Sequence, residues 1–200
     1  RKYPYIDFRP SREIGNEVLL VEGLSKTIDG VKILDNVSFI VNREDKIAFV
    51  GSNELAKTTL FKILSGKIKD YEGEVSIPKG YKIGYLEQHL KFTEKTVIEE
   101  ACLALPEYKK NCVWDAEKIL SQLGFSEEDK RKNPQEFSGG WQIRLNLAKL
   151  LISEPNILLL DEPTNYLDII SIRWLKQFLK DYNGAIILIT HDRSFMDDII

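Results

Sequence analysis

The chain has 200 residues, of which 43% are hydrophobic, and this is enough for one domain with a sizeable core. Its 28 Lys and Arg residues against 31 Asp and Glu residues give a net charge of -3, so no overall basic excess points to nucleic acid. The two cysteines lack the spacing of a metal site or disulfide framework and fit a reducing, cytoplasmic setting, while no apolar run approaches the roughly 20 residues that cross a bilayer.

The first segment, RKYPYIDFRPSREIGN (1–16), mixes basic, aromatic and proline residues without periodicity, which is typical of a linker or arm. Because the chain opens with Arg rather than Met, we expect it to be part of a longer protein. The Arg, Lys and Tyr side chains could contact RNA, whereas packing on the core is the simpler interpretation in the absence of a wider basic patch.

The following residues alternate between strand-like and helical patterns. Asp29 and Gly30 mark a turn between two strands, and helical spacing over 58–66 closes on Gly66, a typical helix end. The strands predicted in this part are 17–24, 31–41, 46–51, 73–78 and 82–88.

From Thr96 the pattern becomes helical. Thr96 and Glu99 have the spacing of a capping box, which predicts that a helix begins there. Continuous apolar runs of strand length then alternate with helical segments, which indicates an α/β fold with a parallel sheet covered on both faces. We predict helices at 115–125, 137–152 and 171–182 and buried strands at 156–164 and 185–192. The stretch from about 90 to 137 is expected to form a helical subdomain within a domain that spans 17–200.

The segment KIAFVGSNELAKTTLFKIL places a strand, a turn and a helix in the order that a phosphate-binding loop requires. Gly51 and Lys57 have the spacing of the G-x-x-x-x-G-K-[ST] motif, in which backbone N–H groups and the Lys hold phosphates. Taken alone, the segment is also compatible with an ordinary helix start. The predicted nucleotide contacts are Gly51, Ser52, Asn53, Ala56, Lys57, Thr58 and Thr59, with the Thr58 hydroxyl as a Mg²⁺ ligand.

Two residues of this loop are unfavourable for phosphate. Ala56 replaces the last Gly of the motif, and its methyl group crowds the approach only mildly. A carboxylate at Glu54, about 4–6 Å from a polyphosphate, would cost on the order of a few kcal/mol at an effective dielectric of about 20. That cost vanishes if the Glu54 side chain points into solvent.

Two acids follow a run of aliphatic residues in LLLDEPT. In open α/β sheets, ligands bind at the carboxyl ends of buried strands, which is where Asp161 and Glu162 lie in this prediction. Asp161 is then a candidate Mg²⁺ ligand, and Glu162 is a candidate to polarise an attacking water. The alternative is that the two acids only begin a loop.

Three further features complete the set. Ser138, Gly139 and Gly140 open a helix whose free N–H groups and dipole form an anion site, although an ordinary N-cap explains the same residues. Gln88 ends one strand and His191 ends another, where a His could either hydrogen-bond a γ-phosphate or have a structural role. The order of all these features in one chain favours a single common cause.

In this order the motifs resemble those of the ATP-binding cassette (ABC) superfamily along nearly the whole chain. The matching motifs are Walker A (Gly51–Thr59), the Q-loop (Gln88), the signature (Ser138–Gln142), Walker B (Ile157–Glu162), the D-loop (Asn165–Asp168) and the switch histidine (His191). The resemblance implies a P-loop NTPase fold, the ABC-type nucleotide-binding domain. Such a domain has a mainly parallel core sheet, an antiparallel β part and a helical subdomain.

More narrowly, DEPTNYLD, ITHDRSFMD and SGGWQIRLNLAKLL resemble the ABC-F subfamily, whose members carry two cassettes, lack a membrane domain and mostly act on ribosomes. The resemblance implies ATP and Mg²⁺ as cofactors and a second cassette as partner, in a homodimer or a tandem chain, with the ribosome and its rRNA as a further partner. Two cassettes would sandwich two ATP molecules head to tail. Glu162 would act as base, while Gln88 and His191 would sense the γ-phosphate and Gln88 would also bind the metal.

The chain also departs from the family pattern. Glu54 and Ala56 replace glycines, which would weaken ATP hydrolysis, and Ile28 stands where the family often stacks an aromatic ring on adenine. NELAK and the basic-aromatic start resemble a second cassette, whereas FSGGWQIR and TNYLD resemble a first one, which suggests a recombined or engineered domain. Because cassettes usually continue well beyond the switch histidine, we expect the domain to be truncated at its C-terminus.

Two alternatives to an ABC-F ATPase stay open at this point. One is the ATPase subunit of a membrane ABC transporter. The other is a degenerate cassette that binds nucleotide weakly without hydrolysing it, which Glu54 favours and the intact Lys57, Asp161, Glu162 and His191 oppose.

Overall fold

The computed structural model describes residues 16–86, 91–165 and 167–200. Most of the predicted arm at 1–16, and the residues Gln88 and Tyr166, therefore lie outside the described residues. In the part that is described, no helix combines the length and the apolar character that are needed to cross a membrane.

Seven strands and six α-helices make up the described ranges. The strands are β1 (Glu17–Ile28), β2 (Val31–Asn42), β3 (Lys46–Phe49), β4 (Glu72–Ser76), β5 (Ile83–Leu86), β6 (Ile157–Asp161) and β7 (Ala185–Ile189). The helices are α1 (Glu54–Leu64), α2 (Val97–Cys102), α3 (Val113–Gln122), α4 (Gly139–Ile152), α5 (Ile169–Asp181) and α6 (Arg193–Ile199). Short 3-10 turns lie at Glu107–Lys109, Asp129–Arg131 and Pro134–Glu136.

An antiparallel sheet of three strands contains β1 between β2 and β4. Asp29 and Gly30 join β1 to β2 with φ angles of 50° and 77°, so the predicted turn is a tight hairpin. Gly73 allows β4 to approach β1 closely, because a Cβ atom there would lie 2.4 Å from the carbonyl oxygen of Gly23. This sheet is the antiparallel β part that the sequence predicts.

A parallel sheet of four strands has the order β3-β7-β6-β5. Every residue of β7 and the first four residues of β6 are buried, which confirms the prediction from their continuous apolar runs. Because the four strands run in one direction, the segments that follow β3, β6 and β7 meet at one edge of the sheet.

The parallel sheet separates two hydrophobic cores. Leu158 and Leu160 of β6 belong to the core that α2, α3, α4 and α5 cover. Ile157 and Leu159, which point to the opposite face, belong to the core that α1 and the antiparallel sheet cover. The predicted sheet with both faces covered is therefore confirmed.

The start of α2 shows how the helical layer is held. Thr96 Oγ1 accepts the N–H of Glu99 at 3.3 Å and Glu99 accepts the N–H of Thr96 at 3.1 Å, which confirms the predicted capping box. The neighbouring Glu100 is 1% exposed, and its carboxylate accepts backbone N–H groups of residues 93–94 and the Lys149 amine on α4. Burial raises the pKa of Glu100, but these donors outweigh burial and lower the pKa below its usual range.

Candidate active site

The predicted phosphate-binding loop connects β3 to α1. Gly51, Ser52 and Asn53 are exposed, and a Cβ atom added at Gly51 would meet no atom within 4 Å, so the space above this backbone is open. The strand–turn–helix prediction is confirmed, but the helix begins at Glu54 rather than at residue 58. The reason is that Asn53 caps the helix, since its Oδ1 accepts the N–H of Ala56 at 3.0 Å.

The Glu54 side chain is directed toward the predicted catalytic groups. Its Oε1 lies 2.6 Å from the Lys57 amine and 2.9 Å from Nε2 of His191. The hydrogen bond from Lys57 is the main reason that the pKa of Glu54 lies below its usual range. The Lys57 side chain is only 8% exposed, whereas that of Glu54 is 53% exposed. In the structure the Glu54 side chain contacts Lys57 and His191 and therefore does not point away from the loop into solvent.

Asp161 and Glu162 lie at the carboxyl end of β6, as the sequence predicts. Burial, followed by the charge of Glu162, raises the pKa of Asp161, and Tyr85 on the neighbouring strand donates its hydroxyl to Asp161 Oδ2 at 3.5 Å. Glu162 has a φ angle of 46°, and its N–H donates to the carbonyl of Ile189 at 2.8 Å. This bond ties the end of β6 to the end of β7.

His191 follows β7 and completes the cluster. Its Nε2 lies 3.5 Å from Glu162 Oε1, and its side chain is 63% exposed. Glu162 Oε1 itself is buried and accepts no hydrogen bond from the described residues. The structure thus brings Lys57, Glu162 and His191 together around the carboxylate of Glu54 at the predicted edge of the sheet.

Thr58 and Thr59 differ in how accessible they are. Thr58 is half-buried, whereas Thr59 is 2% exposed and lies on the buried side of α1. Thr58 is the more accessible of the two, and its role as a metal ligand stays a prediction. Gln88 lies outside the described residues, so its predicted roles stay predictions.

The Ser138–Gly140 turn begins α4, as predicted. Its Gly140 packs against the start of α5 and not against the Lys57 cluster. Ser138 occupies the N-cap position and its side chain makes no capping hydrogen bond. Ser138 and Gly139 are exposed, while Gly140 is buried against Asp168 and Ser171 at the start of α5. The turn therefore offers exposed backbone at a free helix start, on the side of the molecule where α4 meets α5.

Comparison with known proteins identifies the family. The profile of the ABC transporter family matches residues 34–165, which is more than half of the chain. The chain belongs to the ABC transporter family. Domains of this family bind ATP together with Mg²⁺, and its cassettes act in pairs.

Relatives of this ABC domain carry ATP-binding names. YkpA, an ABC transporter ATP-binding protein of Bacillus subtilis, is 44% identical over 203 residues, which cover 100% of the chain and 37% of YkpA. The ATP-binding protein YheS of Escherichia coli K12 is 33% identical over 202 residues, covering 86% of the chain and 32% of YheS. ABC transporter F family member 5 of Arabidopsis thaliana is 31% identical over 223 residues, covering 90% and 32%. The chain spans about a third of the length of these relatives.

Solved structures confirm the ABC fold. A metal-chelate type ABC transporter in an inward-facing conformation superposes with a TM-score of 0.80 at 23% identity, covering 92% of this chain and 77% of that one, and at this identity it shows the fold alone. The cbiO1 protein of Clostridium perfringens, part of the ABC transporter complex cbiONQ, superposes with a TM-score of 0.72 at 25% identity, covering 89% and 80%.

The residues of this ABC domain fit a magnesium-bound nucleotide. Asp161 provides a carboxylate oxygen of the kind that Mg²⁺ prefers, and the Thr58 hydroxyl follows Lys57 at the start of α1. The buried Glu162 Oε1 accepts no hydrogen bond within the described ranges and is available to a water or a substrate group. The open space above Gly51 leaves room for phosphates beside the loop backbone.

Two residues of this ABC domain, Tyr85 and Ser171, have roles that the sequence does not predict. Tyr85 contacts Asp161 only because β5 pairs with β6, and a Tyr in a short strand carries no signal of that role. Ser171 matters because it faces Gly140 from the next helix. It could have been found only by knowing that α4 and α5 touch at these two small residues.

Substitution of Gly140 with Ala is expected to destabilise the ABC domain by about 2–3 kcal/mol. A Cβ atom at this position would lie 2.2 Å from Ser171 Oγ and 2.9 Å from Ser171 Cβ, so α4 and α5 would have to separate. Urea unfolding measures the loss.

Gly140→Ala combined with Ser171→Gly serves as the control. Because Ser171→Gly removes both close atoms, the double variant is expected to be more stable than the sum of the two single changes predicts. Additive single effects would show that Gly140 is not required for this packing.

Proposed function

We propose that the chain is an ATP-hydrolysing cassette of the ABC-F type, which closes head to tail on a second cassette. The observation that supports this most directly is that Lys57, Asp161, Glu162 and His191 converge at the carboxyl edge of the parallel sheet. We assign residues 17–200 to this domain and about 90–137 to its helical subdomain. The ABC-F assignment is supported by the motifs around residues 161–168 and by the similarity to the Arabidopsis F family member.

In this mechanism the chain's own groups have distinct tasks. Lys57, released from Glu54, binds the phosphates and balances their charge. Glu162 accepts a proton from the attacking water through an oxygen that the fold leaves without a hydrogen bond among the described residues. His191 binds the terminal phosphate through Nε2. Thr58 and Asp161, with Gln88, would hold Mg²⁺, which neutralises charge on the phosphate oxygens.

Exposed apolar side chains support closure on a second cassette. Ile169 and Ile170, at the start of α5 beside the Ser138 turn, are 68% and 75% exposed. Val50 and Leu55 flank the phosphate loop and are 71% and 51% exposed. Head-to-tail pairing would bring Ile169 and Ile170 of one cassette against the phosphate loop of its partner, where Val50 and Leu55 lie, and would bury both surfaces. The Ser138–Gly139 backbone of one cassette would then contact the nucleotide of the other.

A role on the ribosome, with contacts to rRNA, is proposed on the ABC-F resemblance. Cytoplasmic localisation is proposed on the same basis. A second candidate function, the ATPase subunit of a membrane transporter, is favoured by the similarity to cbiO1, which is part of a transporter complex. The two functions differ in whether the protein sediments with ribosomes or copurifies with a membrane protein.

Nucleotide binding is tested by thermal unfolding with and without Mg²⁺ and ATP. At a hundredfold excess of ATP over Kd, binding stabilises the folded state by about 2.7 kcal/mol. For a domain of this size this raises Tm by about 5–10 °C. Lys57→Ala is expected to abolish the increase, because the phosphates lose their main cationic partner.

Lys62→Ala is the matched control, since Lys62 is an exposed residue of the same helix. It should retain the full nucleotide-induced increase in Tm. An unchanged Tm of the unsubstituted chain at saturating ATP would contradict the proposed function.

A further inference from the structure

Three side chains at the mouth of the phosphate loop form a constellation in which Glu54, a residue without a task in the proposed hydrolysis, joins Glu162 and His191. One oxygen each of Glu54 and Glu162 and one nitrogen of His191 all lie within 4.8 Å of one another. Nε2 of His191 is 2.9 Å from Glu54 Oε1 and 3.5 Å from Glu162 Oε1. The three groups come from α1, from the end of β6 and from the end of β7, so the fold and not a local sequence motif assembles them.

Glu162 provides a second and independent observation. Its side chain is 10% exposed, and the buried Oε1 accepts no hydrogen bond from any residue that the structure describes. A buried carboxylate oxygen without a donor carries a desolvation cost that a ligand can relieve. This oxygen is directed at His191, and thus into the constellation.

The chemistry of the three groups matches a particular class of ion. Two carboxylate oxygens and one imidazole nitrogen suit first-row ions such as Mn²⁺, Co²⁺ and Zn²⁺, whereas Mg²⁺ prefers oxygen ligands alone. Bonds of about 2.0–2.2 Å place ligand atoms of one ion roughly 3.0–3.6 Å apart. The distances of 2.9 and 3.5 Å therefore require only small movements.

We propose that the nucleotide-free chain binds one divalent transition-metal ion between Glu54, Glu162 and His191. The ion takes the place of the contact between His191 and Glu54 Oε1. Lys57 contacts the same Glu54 oxygen, so its amine competes with the ion and has to move when the ion binds. Resting on the proposed function, a corollary follows: the bound ion engages the base and the phosphate-binding His, so ion and ATP exclude one another.

Co²⁺ alone, added to the full chain without nucleotide, tests the site. The visible absorption of the ion should report one site with nitrogen and oxygen ligands and without the intense near-ultraviolet band of thiolate ligands. Glu54→Gln and His191→Ala are each expected to weaken Co²⁺ binding at least tenfold. Lys57→Ala is expected to tighten it, because the competing ammonium group is removed from Glu54.

The chain offers matched controls for both ligand types. His89→Ala replaces the other of its two histidines, and Glu44→Gln replaces an exposed acid outside the constellation, so both should bind Co²⁺ like the unsubstituted chain. The proposal would be overturned if Glu54→Gln and His191→Ala bound Co²⁺ as tightly as the unsubstituted chain does. It would also be overturned by a thiolate band that disappears when Cys102 and Cys112 are replaced by Ser. Lys57→Ala is expected to lose nucleotide binding. If this variant still binds Co²⁺, the metal site is distinct from the nucleotide site.

Discussion

Glu162→Gln is expected to bind ATP, to hydrolyse it at least a hundredfold more slowly, and to form stable pairs while ATP is present. Removing a general base costs about a hundredfold to ten-thousandfold in rate. The fold should tolerate the change, because Glu162 Oε1 accepts no hydrogen bond from the described residues that Gln would forfeit. Phosphate release measures hydrolysis, and sedimentation with and without Mg²⁺ and ATP measures pairing.

Two variants serve as controls for this result. Glu136→Gln, an exposed acid that is not part of the cluster, should hydrolyse ATP like the unsubstituted chain and should not accumulate pairs. Adding Ile169→Ser and Ile170→Ser to Glu162→Gln should return the ATP-bound chain to a monomer, because these side chains are 68% and 75% exposed on the proposed contact surface. Wild-type hydrolysis by Glu162→Gln would show that another group is the base.

Glu54→Gln is expected to tighten binding of ATP roughly tenfold to a hundredfold. In the structure the Glu54 carboxylate contacts Lys57 and His191, the two groups that the mechanism assigns to phosphate. ATP must displace this carboxylate and then tolerate its negative charge nearby. Gln keeps the size of the side chain and removes the charge, and calorimetric titration with Mg²⁺ and ATP measures the difference.

Glu44→Gln is the control for the change in net charge and should leave the affinity as it is. The gain at Glu54 should shrink as salt is added, because the side chain is 53% exposed and its charge is screened. Equal affinities of Glu54→Gln and the unsubstituted chain would mean that the carboxylate leaves the loop at no cost when ATP binds. In that case the departure from the family motif at this position would not limit nucleotide binding.

The residues that sequence analysis located correctly owe their positions to local patterns. The apolar runs of β6 and β7 have no polar position to place at a surface, so they predict buried parallel strands, and the acids that follow must lie at the sheet edge. The turn at Asp29–Gly30 and the capping box at Thr96 depend on neighbouring residues only. Their physical causes lie within a few residues and can be read from the sequence.

The features that sequence analysis missed depend on contacts between distant segments. The Glu54 carboxylate contacts the distant His191 as well as its local neighbour Lys57. His191 comes within reach because β7 lies between β3 and β6. Gly140 has a packing reason that exists only because α4 touches α5 at Ser171. The early start of α1 is a smaller error of another kind, since Asn53 is a favourable N-cap residue that sequence analysis assigned to phosphate alone.

The hydrogen bond from the Glu162 N–H to the carbonyl of Ile189 fastens two strand ends to each other. We therefore expect Glu162 and His191 to keep their spacing when a nucleotide binds, and the segment that carries Glu54 to move. Deuterium uptake should record this asymmetry: the amide of residue 162 would exchange slowly in every state, while amides at the start of α1 would change their exchange rates on addition of ATP.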